Sequence, residues 1–340
     1  MAAPVTIALD ANGADAGPAE VARGAARAVA ADPALRVLLF GPAGELGEPV
    51  ERVEIVDAPV SVAKAPDPVA AVRARPEASV VQAVQAVADD RADALVSGGS
   101  TAAALAAGVF RIKRGRGVHR PALALLLPVP GNPFLLLDAG ANVDVRPEHL
   151  VQFAHMGAAF VSSVLGIERP RVALLANGTE PTKGTGAVVA AHAALRDMPG
   201  FVGNVEGFTI AAGDADVVVT DGFTGNVMLK AMEGTSKALL DAIRGAVMSS
   251  PRAKAGGLLL KPALGGLRDE IDPELQGGAV LLGLRKLGVV PHGSFSARGI
   301  AVAVEVAARG VRGDLVGRTH AALSAAGALR SAPVTTVGGS

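Results

Sequence analysis

The stretch from Asp138 to Gly157, DAGANVDVRPEHLVQFAHMG, reads as a loop and helix that continue the apolar strand Phe134 to Leu137. The strand empties into a polar loop carrying Asp138, Asn142 and Asp144. Pro147 stands where the first helical turn tolerates a missing N–H, and Glu148 lies near the positive helix end. Leu150, Val151, Ala154 and Ala158 then recur at helical spacing, so one face of the helix is apolar. The polar residues of this run are denser than an apolar chain needs for folding, which marks it as part of a site.

Strand-like and helical stretches alternate along the chain, with no internal repeat of fixed period. Apolar runs at Val5 to Leu9, Val37 to Phe40, Ala94 to Val96, Val172 to Leu175 and Val217 to Val219 have strand length. Ala-rich segments of high helix propensity alternate with them, at Ala19 to Ala31, Val80 to Ala88, Thr101 to Val109 and Ala187 to Leu195. This alternation predicts an α/β fold: a three-layer, doubly wound, mostly parallel sheet with helices on both faces. One unit over residues 1–330 is expected, with residues 41–49 a Gly/Pro-rich loop and 331–340 a flexible tail.

Composition narrows the function. The 340 residues are 50% hydrophobic with zero formal net charge, so there is no basic field for nucleic acid and any anion must be held locally. The absence of Cys removes thiolate nucleophiles, disulfides and cysteine metal sites. MAAPVTIALD lacks the basic start of a secretory signal. The apolar stretch Pro121 to Leu137 is cut by Pro128, Pro130, Gly131 and Pro133, so it reads as two strands around a turn and not as a membrane span. A soluble, cytoplasmic protein is expected.

Strand ends open into Gly-, Ser-, Thr- or Asn-rich loops at 10–15, 97–101, 177–186 and 221–226. Such loops can gather at one sheet edge, where helix N-termini bind anions; each alone also serves a plain turn. The candidate phosphate ligands are Asp10, Gly13, Ser97, Gly99, Ser100, Thr101, Asn142, Asp144, Asp221, Gly225 and His292. For Asp10, Asn142 and Asp144 a turn or capping role is the alternative, and for His292 an ordinary loop histidine. Lys183 could bring positive charge to a phosphate, or be a solvated surface lysine. Asn226 could donate an N–H to a carbonyl oxygen, or cap a helix. Gly184-Thr185-Gly186 lacks the third glycine of a dinucleotide loop and no Gly-x-x-x-x-Gly-Lys-Ser/Thr occurs, which disfavours a nicotinamide dehydrogenase. Oxygen ligands at metal spacing are not visible, so neither metal nor cofactor is expected. His149 reads as a packed or surface residue, and Arg73 and Arg75 as solvent-facing charges or arms toward an anionic carrier.

Several long segments, in order, resemble the acyl carrier protein:phosphate acyltransferase family: IALDANGAD (7–15), GVHRPALALLLP (117–128), the 138–157 run, GIERPRVALL (166–175), GNVEG (203–207), ADVVVTDGFTGNVMLK (215–230), QGGAVLLGL (276–284) and HGSFSAR (292–298). The resemblance spans nearly the whole chain. It implies an isopropylmalate-dehydrogenase-like or phosphotransacetylase-like fold and transfer of a fatty acyl group from acyl carrier protein to inorganic phosphate. It also implies catalytic roles for Lys183 and Asn226, a homodimer built through the second half, and a helical excursion around 230–275. There KAGGLLLKPALGGL (254–267) could touch a membrane peripherally, at its inner face, through Leu258, Leu259 and Leu260, or pack in the dimer. The chain departs from the family pattern at Ala16, Ser100, Ala102, Ala176, Thr179, Pro181, Thr185 and Gly186, which keeps open a non-catalytic, ligand-binding or regulatory paralogue.

Overall fold

The computed structural model describes residues 3–48 and 50–330. Residues 1, 2, 49 and 331–340, including the expected tail, lie outside the described residues, as do the side chains of 263, 264 and 267–269. The strands are β1 (Val5–Asp10), β2 (Leu35–Gly41), β3 (Val53–Asp57), β4 (Ala94–Ser97), β5 (Ala122–Leu127), β6 (Phe134–Leu137), β7 (Val172–Leu175), β8 (Phe201–Val205), β9 (Val217–Val219), β10 (Ala279–Leu282) and β11 (Leu287–Val290). The helices are α1 (Pro18–Ala31), α2 (Pro68–Ala74), α3 (Ser79–Ala88), α4 (Thr101–Arg111), α5 (Pro147–Phe160), α6 (Gly186–Leu195), α7 (Gly222–Met248), α8 (Pro251–Glu270), α9 (Ala297–Arg312) and α10 (Leu315–Ala325).

All strands join one sheet in the order β3-β2-β1-β4-β11-β10-β5-β6-β9-β7-β8. Its faces are covered separately: α1, α5, α6, α9 and α10 pack on one, α2, α3 and α4 on the other. In β1, Ile7 and Leu9 enter the first core while Ala8 enters the second, which is why the strand is apolar at successive positions. Each fully buried leucine or isoleucine contributes roughly 1.5–3 kcal/mol. Helix entries follow local chemistry: Pro18, Pro68 and Pro147 open α1, α2 and α5, and Asp67, Ser100, Thr185 and Asp221 cap α2, α4, α6 and α7 with side-chain oxygens.

The sheet is not wound in one direction. β10 runs antiparallel to both β11 and β5, and β5 runs antiparallel to β6. Consequently β1, β2, β3, β4 and β11 end at one edge, whereas β6, β7, β8 and β9 end at the other. The turn expected between Pro121 and Leu137 is the β5–β6 hairpin.

The excursion is an α7–α8 helical hairpin in which Gly257 packs directly on Val247. Leu258, Leu259 and Leu260 are 70%, 84% and 57% exposed on it. Among the described residues no helix is long and apolar enough to cross a membrane.

Gly157 sets how closely α5 can approach the sheet, because a Cβ there would come 2.5 Å from Val217 Cγ1 on β9. Valine has no flexible end to move aside. Gly157→Ala is expected to destabilise the protein by about 1–3 kcal/mol, read as a lower urea midpoint; an unchanged midpoint would show that α5 is not held at that distance.

Candidate active site

The two sheet edges divide the residues expected to bind phosphate. Asp10, Gly13, Ser97, Gly99, Ser100, Thr101 and His292 follow β1, β4 and β11 at the first edge. Asn142, Asp144, Lys183, Asp221, Gly225 and Asn226 follow β6, β7 and β9 at the second. The expectation that all these loops meet at one edge is corrected by the β5–β6 hairpin, after which β6, β9 and β7 run opposite to β1, β4 and β11.

At the first edge, Asp10 and Ser97 are sealed inside and turned toward each other. Ser79 Oγ donates to Asp10 Oδ1 at 2.6 Å, Ser97 Oγ donates to Oδ2 at 2.7 Å, and the Asn12 N–H donates to Oδ1 at 3.2 Å. Asn12 Nδ2 in turn donates to Ser79 Oγ and to the Ala58 carbonyl, both at 3.0 Å. The adjoining space is about 10 Å³, no more than a water occupies. Asp10 and Ser97 therefore tie β1, α3 and β4 together, with their side-chain oxygens turned inward. Gly13, at φ 94°, and Gly99 serve close approach: a Cβ on Gly13 would meet Gly99 Cα at 2.9 Å, and one on Gly99 would meet the Asn12 carbonyl oxygen at 2.8 Å. Ser100 caps α4 by accepting from the Ala103 N–H at 3.3 Å, and exposed His292 has its Nδ1 2.8 Å from Ser294 Oγ. Arg73 lies 4.5 Å from the centre of the Phe110 ring, a cation–π contact.

The second edge is organised by a residue that the pattern of ligands did not single out. Asp138, fully buried, accepts from the N–H groups of Leu123 (3.0 Å), Gly140 (3.1 Å), Ala141 (2.9 Å) and Asn142 (2.7 Å), and from Asn142 Nδ2 (2.7 Å). Burial pushes its carboxyl above the usual range, and these donors pull it back. Asn142 also donates to the Pro121 carbonyl at 2.8 Å and is buried, so it fastens the loop. The start of α7 packs on this loop. A Cβ on Gly222 would come 2.7 Å from the Asn142 nitrogen, and one on Gly225 would collide with the Asp138 carbonyl oxygen. Gly225 thus acts by close approach. Asp221 caps α7, accepting from the Thr224 N–H and Oγ1, each at 2.7 Å. Asn226 sits beyond the cap within α7, exposed, its Oδ1 3.8 Å from where a Gly140 Cβ would stand.

The neighbouring loop, after β7, presents Lys183. The Gly184 N–H donates to Asn177 Oδ1 at 2.9 Å, the Lys183 N–H to the Glu180 carbonyl at 3.0 Å, and Asn204 Nδ2 to the same carbonyl at 2.8 Å. The stem of Lys183 lies across Gly178, whose absent Cβ would come 2.7 Å from Lys183 Cγ. Because β9 and β7 are adjacent, Lys183, Asn226 and the N-termini of α6 and α7 open at one edge, an arrangement suited to an anion. Exposed Phe223, Val227 and Val143 border it with apolar surface.

Among the described residues, His119, Glu148 and His149 place ligand atoms within 4.8 Å of one another. Arg146 already occupies this cluster: its N–H donates to His149 Nδ1 at 3.2 Å and its guanidinium pairs with Glu148 at 2.9 Å. Burial lowers the pKa of both histidines, and the guanidinium supplies the positive charge that a cation would bring.

The fold is that of the phosphotransacylase type. A phosphotransacetylase from Streptococcus pyogenes superposes with a TM-score of 0.59 over 91% of this chain and 94% of its own, at 19% identity. The profile of the fatty acid synthesis protein family matches residues 5–318, and the chain belongs to that family. The phosphate acyltransferase of Geobacillus thermodenitrificans is 43% identical over 324 residues, covering 94% of this chain and 99% of the relative. That of Levilactobacillus brevis is 45% identical over 301 residues, covering 86% and 87%. The protein is an acyltransferase.

Burial raises Asp10 to about 6, against the weaker lowering by its hydrogen bonds. In the unfolded chain this acid ionises near 3.8. Between these values the folded state keeps a proton that the unfolded state has lost, so stability falls as pH rises from about 4 to about 6 and is level above. Asp10→Asn removes this dependence. Urea titrations of both proteins at pH 4.5 and 7 should show the parent losing about 2 kcal/mol relative to the variant on going to pH 7; parallel curves would mean that Asp10 is not protonated in the folded protein.

Proposed function

We propose that the protein transfers a fatty acyl group from the thioester of acyl carrier protein to inorganic phosphate, with Lys183 holding the phosphate and Asn226 the thioester carbonyl. The observation that carries this reading is the placement of both residues after adjacent strands, at one edge, with two helix N-termini. A phosphate oxygen attacks the carbonyl carbon, the new C–O bond forms as the C–S bond breaks, and the thiolate leaves and takes up a proton. Phosphate is itself the nucleophile, so a chain without Cys suffices. The Lys183 ammonium and the helix ends offset the phosphate charge, while the Asn226 amide donates to the oxygen on which charge grows. The relatives' name, phosphate acyltransferase, supports phosphate as acceptor. Exposed Asp144, at the same edge, is a further candidate ligand, whereas Ser100, Thr101 and His292 stand at the other edge and take no part in this reading.

The same reading includes a homodimer and a peripheral membrane contact. Leu239, Leu240 and Ile243 on α7 are exposed apolar groups suited to a second copy, and Leu258–Leu260, between Lys254 and Lys261, to an anionic bilayer.

With purified protein, acyl carrier thioester and phosphate, acyl phosphate should form. Asn226→Ala is expected to lower kcat by about 100-fold or more, and Lys183→Ala to raise the KM for phosphate as well. Gly178→Ala should displace the Lys183 stem and reproduce part of that KM rise with the fold intact by circular dichroism. Parent-like kinetics in Lys183→Ala and Asn226→Ala would reject the assignment. Separately, the protein should float with vesicles containing anionic lipid and lose this on combined Leu258→Asp and Leu260→Asp substitution; flotation unaltered by the change would remove the membrane contact.

A further inference from the structure

Positive charge is not spread evenly along this chain. The formal net charge is zero, yet residues 94–137 contain no Asp or Glu, and Arg111, Lys113, Arg114, Arg116 and Arg120 fall there within one run of ten residues, 111–120. The fold gathers further cations onto this run. Arg114 forms an antiparallel bridge with Leu284, the Gly115 N–H donates to the Gly283 carbonyl at 2.9 Å, and the Arg285 N–H donates to the Lys113 carbonyl at 3.0 Å. The turn between β10 and β11 therefore lies alongside and adds Arg285. The Arg330 N–H donates to the Gly117 carbonyl at 2.8 Å, which brings in a further guanidinium.

Lys113, Arg114, Arg116, Arg120, Arg285 and Arg330 are exposed, and among the described residues none of them takes part in an ion pair. Their neighbours are already committed: Lys286 pairs with Asp90 at 2.7 Å and Arg146 with Glu148 at 2.9 Å. The patch also has a definite place. β5 starts at the edge where β6 and β9 end, so Arg120 stands at the edge that carries Lys183 and Asn226. The Pro121 carbonyl accepts from Asn142 Nδ2, and the Asn142 carbonyl accepts from the Gly222 N–H at 2.7 Å, where α7 begins. In the sheet β5 is two strands from β9 and three from β7, a separation of about 10–15 Å.

Among the described residues, none of the strongly exposed large apolar side chains falls on 111–120, 285 or 330, so the patch lacks the groups that enter a bilayer. Guanidinium forks match carboxylates, and a field of one sign speeds the encounter with an oppositely charged surface and fixes its orientation. We propose that this patch docks an acidic protein, the carrier that delivers the acyl thioester, and sets it beside the start of α7 so that its flexible arm reaches Asn226. The identity of the partner rests on the function proposed above. The docking surface itself does not depend on the roles of Lys183 and Asn226. A small thioester without an acidic protein attached has no use for it.

The experiment reads binding and turnover separately on the full-length protein. Binding of fluorescently labelled acyl carrier protein, bearing its arm and no acyl group, is followed by anisotropy; transfer to phosphate is followed with the acyl carrier thioester and with uncharged acyl pantetheine. Combined Arg116→Glu and Arg120→Glu substitution should weaken carrier binding and raise the KM for the carrier thioester at least tenfold, with kcat and the acyl pantetheine kinetics unchanged. Arg116→Gln with Arg120→Gln should move the same two quantities by a smaller factor, and this variant decides the matter if the reversed pair does not fold by circular dichroism. Lys64→Glu with Arg75→Glu makes the same charge change on exposed residues beside the first edge and should leave carrier binding as in the parent. Carrier affinity should also fall between about 50 and 300 mM salt, more steeply in the parent than in the variant. The proposal is overturned if the parent does not bind the carrier, if the folded patch variants bind it like the parent, or if the control pair weakens binding equally. It is also overturned if vesicles of anionic lipid or a short RNA, and not the carrier, bind the parent and lose this in the patch variant. A parent that binds the carrier through the patch and forms no acyl phosphate would instead reject the transfer reaction and leave the docking surface standing.

Discussion

The buried carboxylate of Asp138 is the constraint on which the second half of the molecule depends. A charge excluded from water must be compensated, and here the compensation comes from the backbone of the loop that follows it. The loop is therefore wound around its own first residue. Gly222 and Gly225 bring the start of α7 onto that surface, which fixes where Asn226 emerges. A residue that touches no substrate thus determines the position of one proposed to do so.

The first half uses the same device to another end. Asp10 and its serine partners spend their hydrogen-bonding capacity on binding three elements together, leaving nothing directed at solvent. Both buried acids stand at strand ends, and both shape loops. They differ in what is built outside them: α7, with its exposed Asn226, at one edge, and a compact glycine-lined crossing of backbone at the other. The β5–β6 hairpin separates the two constructions, because β6 and the strands beyond it run opposite to β5 and β11.

Much of the architecture was legible in the sequence because period and composition report it directly. The runs Val172–Leu175 and Val217–Val219 are strands with the limits that their apolar character suggests, and Pro18 and Pro147 begin helices where proline is tolerated. The candidate site was only partly legible. Polar residues at strand ends look alike in sequence whether they face a ligand or a neighbouring serine, so Asp10, Ser97 and Asn142 were indistinguishable from Lys183 and Asn226. A signal existed for Gly178, Gly222 and Gly225, since glycine marks close approach, but sequence does not say which atom approaches.

The chain by itself determined the class of fold, the limits of some short strands and the family, because these follow from hydrophobic pattern and from long ordered matches spread over many residues. The tertiary structure alone decided which strand ends share an edge. That depends on β5 standing parallel to β11 across β10 while β6 turns back from it and is joined by β9 and β7, pairings between distant segments that local pattern does not show. It also decided which polar groups are consumed internally, because burial is a property of the packed molecule and not of any residue within it.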